Sequence, residues 1–132
     1  MAPTANFQLQ DSFKVPYAIS ETDADQNVAV PGAGDSVVVS SSDTASITVV
    51  PDAAVDPAKV PNNADGTPGD PTKCLQTGFL VGGKKAQVGV QVTATFAHAD
   101  GSAAPPAVVD LIDVVVGPGT TGVISLGTPV TQ

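Results

Sequence analysis

Ala86-Gln87-Val88-Gly89-Val90-Gln91-Val92-Thr93-Ala94-Thr95-Phe96 is the stretch that decides the fold. Ala86, Val88, Val90, Val92, Ala94 and Phe96 fall on one side of an extended chain, and Gln87, Gly89, Gln91, Thr93 and Thr95 fall on the other. A period of two with one apolar side predicts an antiparallel strand that covers a core with one face and meets water with the other. Outward from it the period recurs at Phe13, Val15, Tyr17 and Ile19, where Pro16 marks an edge strand because proline has no N–H to offer a neighbour. Ala45, Ile47 and Val49 repeat the pattern. Short apolar runs at 7–9, 28–30, 37–39, 79–81, 108–116 and 123–126 bring the strand candidates to about nine.

The punctuation agrees. Gly and Pro number 13 and 12, and they cluster between the apolar runs, as in Pro31-Gly32-Ala33-Gly34, Gly82-Gly83, Asp100-Gly101 and Gly117-Pro118-Gly119. No window holds a helical period, and β-branched runs lower helix propensity further. Residues 52–77 differ, with Pro51, Pro57, Pro61, Pro68, Pro71 and little apolar content; they predict a long inserted loop. The expectation is one all-β domain, an antiparallel sandwich: an N-terminal arm and first strands over 1–34, then the body over 35–132 with its insertion at 52–77.

Charge narrows the function classes. Thirteen acidic residues stand against five lysines, a net charge of −8, which opposes binding to nucleic acid or to an anionic membrane surface. No apolar stretch approaches the ~20 residues of a spanning helix, and residues 1–20 show no basic segment followed by an apolar run, so no membrane insertion is expected, and the chain is expected to be a cytoplasmic product or a mature form whose signal has been removed. Cys74 is alone, which leaves burial, a loop position or an intermolecular disulfide.

Candidate chemistry is sparse. Gly78-Phe79-Leu80-Val81-Gly82-Gly83-Lys84 has the spacing of a phosphate-binding loop, but Lys85 stands where the metal-holding Ser or Thr belongs, and a strand instead of a helix is expected to follow; a hairpin turn is the better reading. His98, the only histidine, lies near Ser102 and Asp100, yet no nucleophile-elbow pattern accompanies it, so a loop histidine is expected. One Cys and one His do not make a usual zinc set. Asp23, Asp25, Asp65, Asp70, Asp110 and Asp113 are oxygen ligands in kind, but no twelve-residue calcium loop contains them. No catalytic, cofactor-binding or metal residue is assigned, and no enzyme activity or cofactor is expected.

Three stretches carry a family resemblance. Asp35-Ser36-Val37-Val38-Val39-Ser40-Ser41-Ser42-Asp43 with Ile47-Thr48-Val49, then Gly78-Phe79-Leu80-Val81-Gly82 with Gln91-Val92-Thr93-Ala94-Thr95, and last Asp110-Leu111-Ile112-Asp113-Val114-Val115-Val116 with Ile124-Ser125-Leu126-Gly127-Thr128-Pro129, resemble the bacterial immunoglobulin-like domains of surface adhesins and phage virion proteins. Val39 stands where that family often has Trp, and the insertion at 52–77 has no counterpart in its short forms. The resemblance implies an immunoglobulin-like β-sandwich. It also implies a structural role: a virion protein such as a capsid decoration or head-fibre subunit, assembled in the host cytoplasm, or alternatively a module of a bacterial surface or secreted adhesin. The expected partners are capsid or other virion proteins and further copies of the chain, reached through residues 1–12 and the loop at 52–77.

Overall fold

The strand expected over 86–96 forms as β6, Gln87–Ala97, in a computed structural model that describes residues 6–25, 27–117 and 124–131. Val90 and Val92 are buried, Ala94 and Phe96 half-buried, and Gln91 and Thr95 exposed, as the alternation requires. Its first two turns of the pattern do not hold. The pairing register shifts between Gln87 and Val90, Gly89 takes a φ of +71°, and Val88 is 73% exposed. A bulge adds one residue and reverses the side-chain direction, and glycine enters the left-handed region without a Cβ penalty, so Val88 leaves the core face.

Six further strands complete the fold: β1 Phe7–Gln10, β2 Lys14–Ile19, β3 Ser36–Ser41, β4 Ile47–Pro51, β5 Gln76–Gly82 and β7 Val108–Val115. They form a four-stranded sheet in the order β1-β7-β6-β3 and a three-stranded sheet in the order β2-β5-β4. The two sheets face each other across Leu9, Ile47, Leu80, Val90, Val92, Ile112 and Val114. The order places strands two, five and four in one sheet and one, seven, six and three in the other, an all-β sandwich of two sheets. β1 sits beside the last strand, not beside the second. Pro16 lies in β2, an edge strand, where its missing N–H costs no ladder bond.

Several expectations need correction. The sheets are not wholly antiparallel, because β1 pairs parallel with β7, Phe7 opposite Ile112 and Gln10 opposite Val115. The N-terminal arm is therefore a strand of its own sheet, with Leu9 only 5% exposed; residues 1–5 of that arm lie outside the described residues. The 28–30 run makes only an isolated bridge, Thr22 to Val28. Of the strand expected at 123–126, Val123 lies outside the described residues and 124–126 carry no strand. Gly83 is not in a hairpin turn: β5 and β6 belong to opposite sheets, and residues 83–86 cross between them.

The insertion is pinned. Thr77 Oγ1 donates to Asp52 Oδ2 (2.8 Å) and accepts from the Asp56 N–H (2.8 Å), while Lys59 Nζ reaches both Asp52 oxygens at 2.9 and 2.8 Å. Lys59 also lies 3.9 Å from the Phe79 ring centroid on the outer side of β5. Two 3₁₀ turns, Pro57–Lys59 and Pro71–Lys73, are capped by Asp56 and Asp70. The loop thus begins folded over the smaller sheet.

Candidate functional site

The phosphate-loop spacing at 78–84 has no phosphate cradle. Gly78 to Gly82 lie within β5, and β6 follows instead of a helix whose N-terminus would face an anion. Gly78 is explained by packing: a Cβ there would stand 2.5 Å from the Val50 carbonyl and 2.6 Å from the Tyr17 ring. Lys85 donates to Asp43 Oδ2 at 2.8 Å, tying this crossing to the serine-rich turn and holding the Asp43 carboxyl below its ordinary range.

Three of the surface carboxylates considered for calcium are turned to nearby backbone. Asp23 Oδ1 accepts from the N–H groups of Asp25 and Asn27, Asp65 from Thr67, and Asp70 from Thr72. Asp113 Oδ1 accepts from Gly89 N–H (2.9 Å) and Asn6 Nδ2 (3.0 Å), so it holds the β6 bulge in place. Asp110 and Asp113 lie on opposite faces of β7. The Cys74 thiol is buried, 3.4 Å from the carbonyl oxygens of Ile19 and Gln76, which removes it from reach of a second chain.

His98 is more richly surrounded than the sequence suggests. The register pairs Ser36 with Ala97, so Asp35, just before β3, and His98, just after β6, are neighbours. Glu21, the chain's only glutamate, approaches from the connection after β2 and sets its two oxygens 2.9 and 3.1 Å from His98 Nε2. Ser102 Oγ lies 2.9 Å from Nδ1 and donates its own proton to Asp100 Oδ1 at 2.6 Å. Asp35 accepts from Gly32 N–H and Ala99 N–H. The Glu21 hydrogen bond raises the His98 pKa, opposed by desolvation and aided by the charges of Glu21, Asp35 and Asp100. Ser102 Oγ directs its proton to Asp100 and not to the ring, so the Ser102–His98 contact is not a nucleophile–base pair. Glu21 and Asp35 were not marked in the sequence because they stand 77 and 63 residues from His98 in the chain; the β3–β6 register joins Asp35 to His98, and the connection after β2 brings Glu21 to it.

The second notable surface is the outer face of the larger sheet. Its four strands carry no lysine and only two carboxylates, Asp110 and Asp113, in a chain with 13 acidic residues and five lysines. Outward-facing positions include Gln8, Gln91, Thr93, Val38 (66% exposed), Val109 and Leu111. Beside it, the seam between β7 and β2 holds an open recess of ≈ 480 Å³ walled by Phe7, Val15, Leu80 and residues 109–112. Among the described residues no helix is long and apolar enough to cross a membrane.

Compared with known proteins, the chain matches no described family, no curated protein and no solved structure.

Proposed function

We propose that the chain is a non-enzymatic structural protein of a phage virion, a capsid decoration or head-fibre subunit, which seats the outer face of its larger sheet on the particle lattice. The observation that carries this reading is the distribution of charge: a protein of net charge −8 keeps the outer face of its larger sheet nearly free of ionised groups, whereas Lys14, Lys59 and Asp52 gather over the smaller sheet around Phe79. Interface cores are depleted in charged residues, and exposed apolar groups such as Val38, Val109 and Leu111 lose water favourably when covered. The acidic loops on the remaining surface keep neighbouring subunits soluble and apart until they dock. The resemblance of three sequence stretches to virion immunoglobulin-like domains supports the same role. Residues 1–12 and the loop at 52–77 are less suited to it than the sequence suggested, since residues 7–10 are paired within the sheet and the start of the loop is bonded to β5.

Sedimentation of the purified chain with isolated particles tests the proposal. Leu111→Asp, on the outer face of the larger sheet, is expected to abolish co-sedimentation, while Val50→Asp, outward on the smaller sheet, leaves it intact. Equal binding by both variants refutes the assigned face. Binding to bacterial cells but not to particles would place the chain among adhesin modules instead.

A further inference from the structure

The cluster around His98 has a feature that docking does not require. Donor atoms of Glu21, Asp35 and His98 all lie within 4.8 Å of one another, and they come from two connections at one end of the sandwich: Glu21 and Asp35 from the two ends of the β2–β3 connection, and His98 from the start of the β6–β7 connection. The side chains of His98 and Glu21 are only 17% and 11% exposed. Around a tetrahedral ion with ligand bonds of ~2.1 Å, donors sit ~3.4 Å apart, so Glu21, now 2.9 Å from His98 Nε2, draws back slightly to admit one.

The surroundings of the donors are also those of a ligand set. A metal-bound histidine characteristically engages its second ring nitrogen with an oriented partner, and here Nδ1 meets Ser102, which is itself fixed by Asp100. The Asp35 carboxylate is held from outside by two backbone N–H groups, each of its oxygens retaining a lone pair. Glu21 differs: both of its oxygens converge on Nε2. The proton on Nε2 occupies the place where a cation would meet imidazole and carboxylate together.

We propose that Glu21, Asp35 and His98 form a site for one divalent transition-metal ion, bound through His98 Nε2 and one oxygen of each carboxylate, with a water completing the coordination. Imidazole selects a borderline ion of the zinc type over magnesium, which prefers an all-oxygen octahedron. Binding releases the Nε2 proton to solvent, and the two carboxylates neutralise the ion. The ion then fastens both ends of the β2–β3 connection to the start of the β6–β7 connection. This site is independent of the docking face, which lies on the outer side of the larger sheet.

The single histidine makes the test direct. Zn²⁺ added to the metal-free protein, followed by calorimetry and by the His98 ring resonances, is expected to show one ion per chain, a shifted His98 signal and release of up to one proton, read from the buffer dependence of the heat. Glu21→Gln and His98→Ala, checked for folding by circular dichroism, are expected to weaken binding more than tenfold. Ser102→Ala, which leaves all three ligands in place, is expected to weaken it about tenfold through loss of ring orientation. Absence of saturable Zn²⁺ binding overturns the proposal. So does binding that leaves the His98 resonances unmoved, or that persists unchanged in His98→Ala.

Discussion

Val90 and Gln91 are adjacent, yet one is 2% exposed in the core and the other faces water. Val90→Asp puts an unpaired charge among Leu80, Ile112 and Val92 and is expected to cost about 4 kcal/mol or more, whereas Gln91→Asp stays within about 0.5 kcal/mol. Denaturant unfolding of the two variants checks this, and equal midpoints would contradict the assigned faces. A second residue-scale expectation concerns Asp52, whose carboxyl is held below its ordinary range first by the Lys59 hydrogen bond and then by Thr77. A depressed folded pKa stabilises the fold above the unfolded value near ~4 and loses that contribution as pH falls through the folded value. The melting-temperature gap between the parent and Asp52→Asn should therefore be widest near neutral pH and close in acid; a gap that persists at pH 2 would point to a cause other than charge. The alternation that places Val90 was legible in the sequence. The bulge at Gly89 was not, because one glycine within a period-2 run reads the same whether the strand is regular or bulged, and only the Asp113 bond across to β7 distinguishes the two.

At the scale of elements, β1 shows what local pattern leaves open. Phe7, Gln8, Leu9 and Gln10 read as a strand, but a four-residue strand near a terminus has the same pattern whether it pairs within its own sheet or with a neighbour. Its parallel pairing with β7 buries Leu9 against the core. Leu9→Ala is expected to lower stability by about 2–4 kcal/mol, independent of protein concentration. A cost that appears only at concentrations where the chain associates would restore the exchanging arm. The insertion was legible as a loop from its prolines. Its attachment was not, since Thr77, Asp56 and Lys59 carry no local signal that they meet, and the bonds join residues 21 to 25 apart across β5.

For the whole molecule, the sequence was sufficient for the class, an all-β sandwich, because alternation and turn spacing agree along most of the chain. It was insufficient for the connections. Val37-Val38-Val39 and Phe79-Leu80-Val81 announce strands without saying which sheet each enters, and the short crossings at 83–86 and at the serine-rich turn look like hairpins until both sheets are seen. The same limit hid the His98 cluster, which needs both the β3–β6 pairing and the connection after β2 that carries Glu21 to it. It also hid the charge-poor face, which exists only because β1, β3, β6 and β7 share one sheet. The arrangement of strands is thus the claim on which both functional proposals stand, and nuclear Overhauser contacts between backbone protons test it most directly. The account predicts contacts of parallel type between residues 7–10 and 112–115, of antiparallel type between Val38 and Thr95, and none between the backbones of β5 and β6. A ladder of contacts joining β5 to β6 as a hairpin, or the absence of any between β1 and β7, would contradict it.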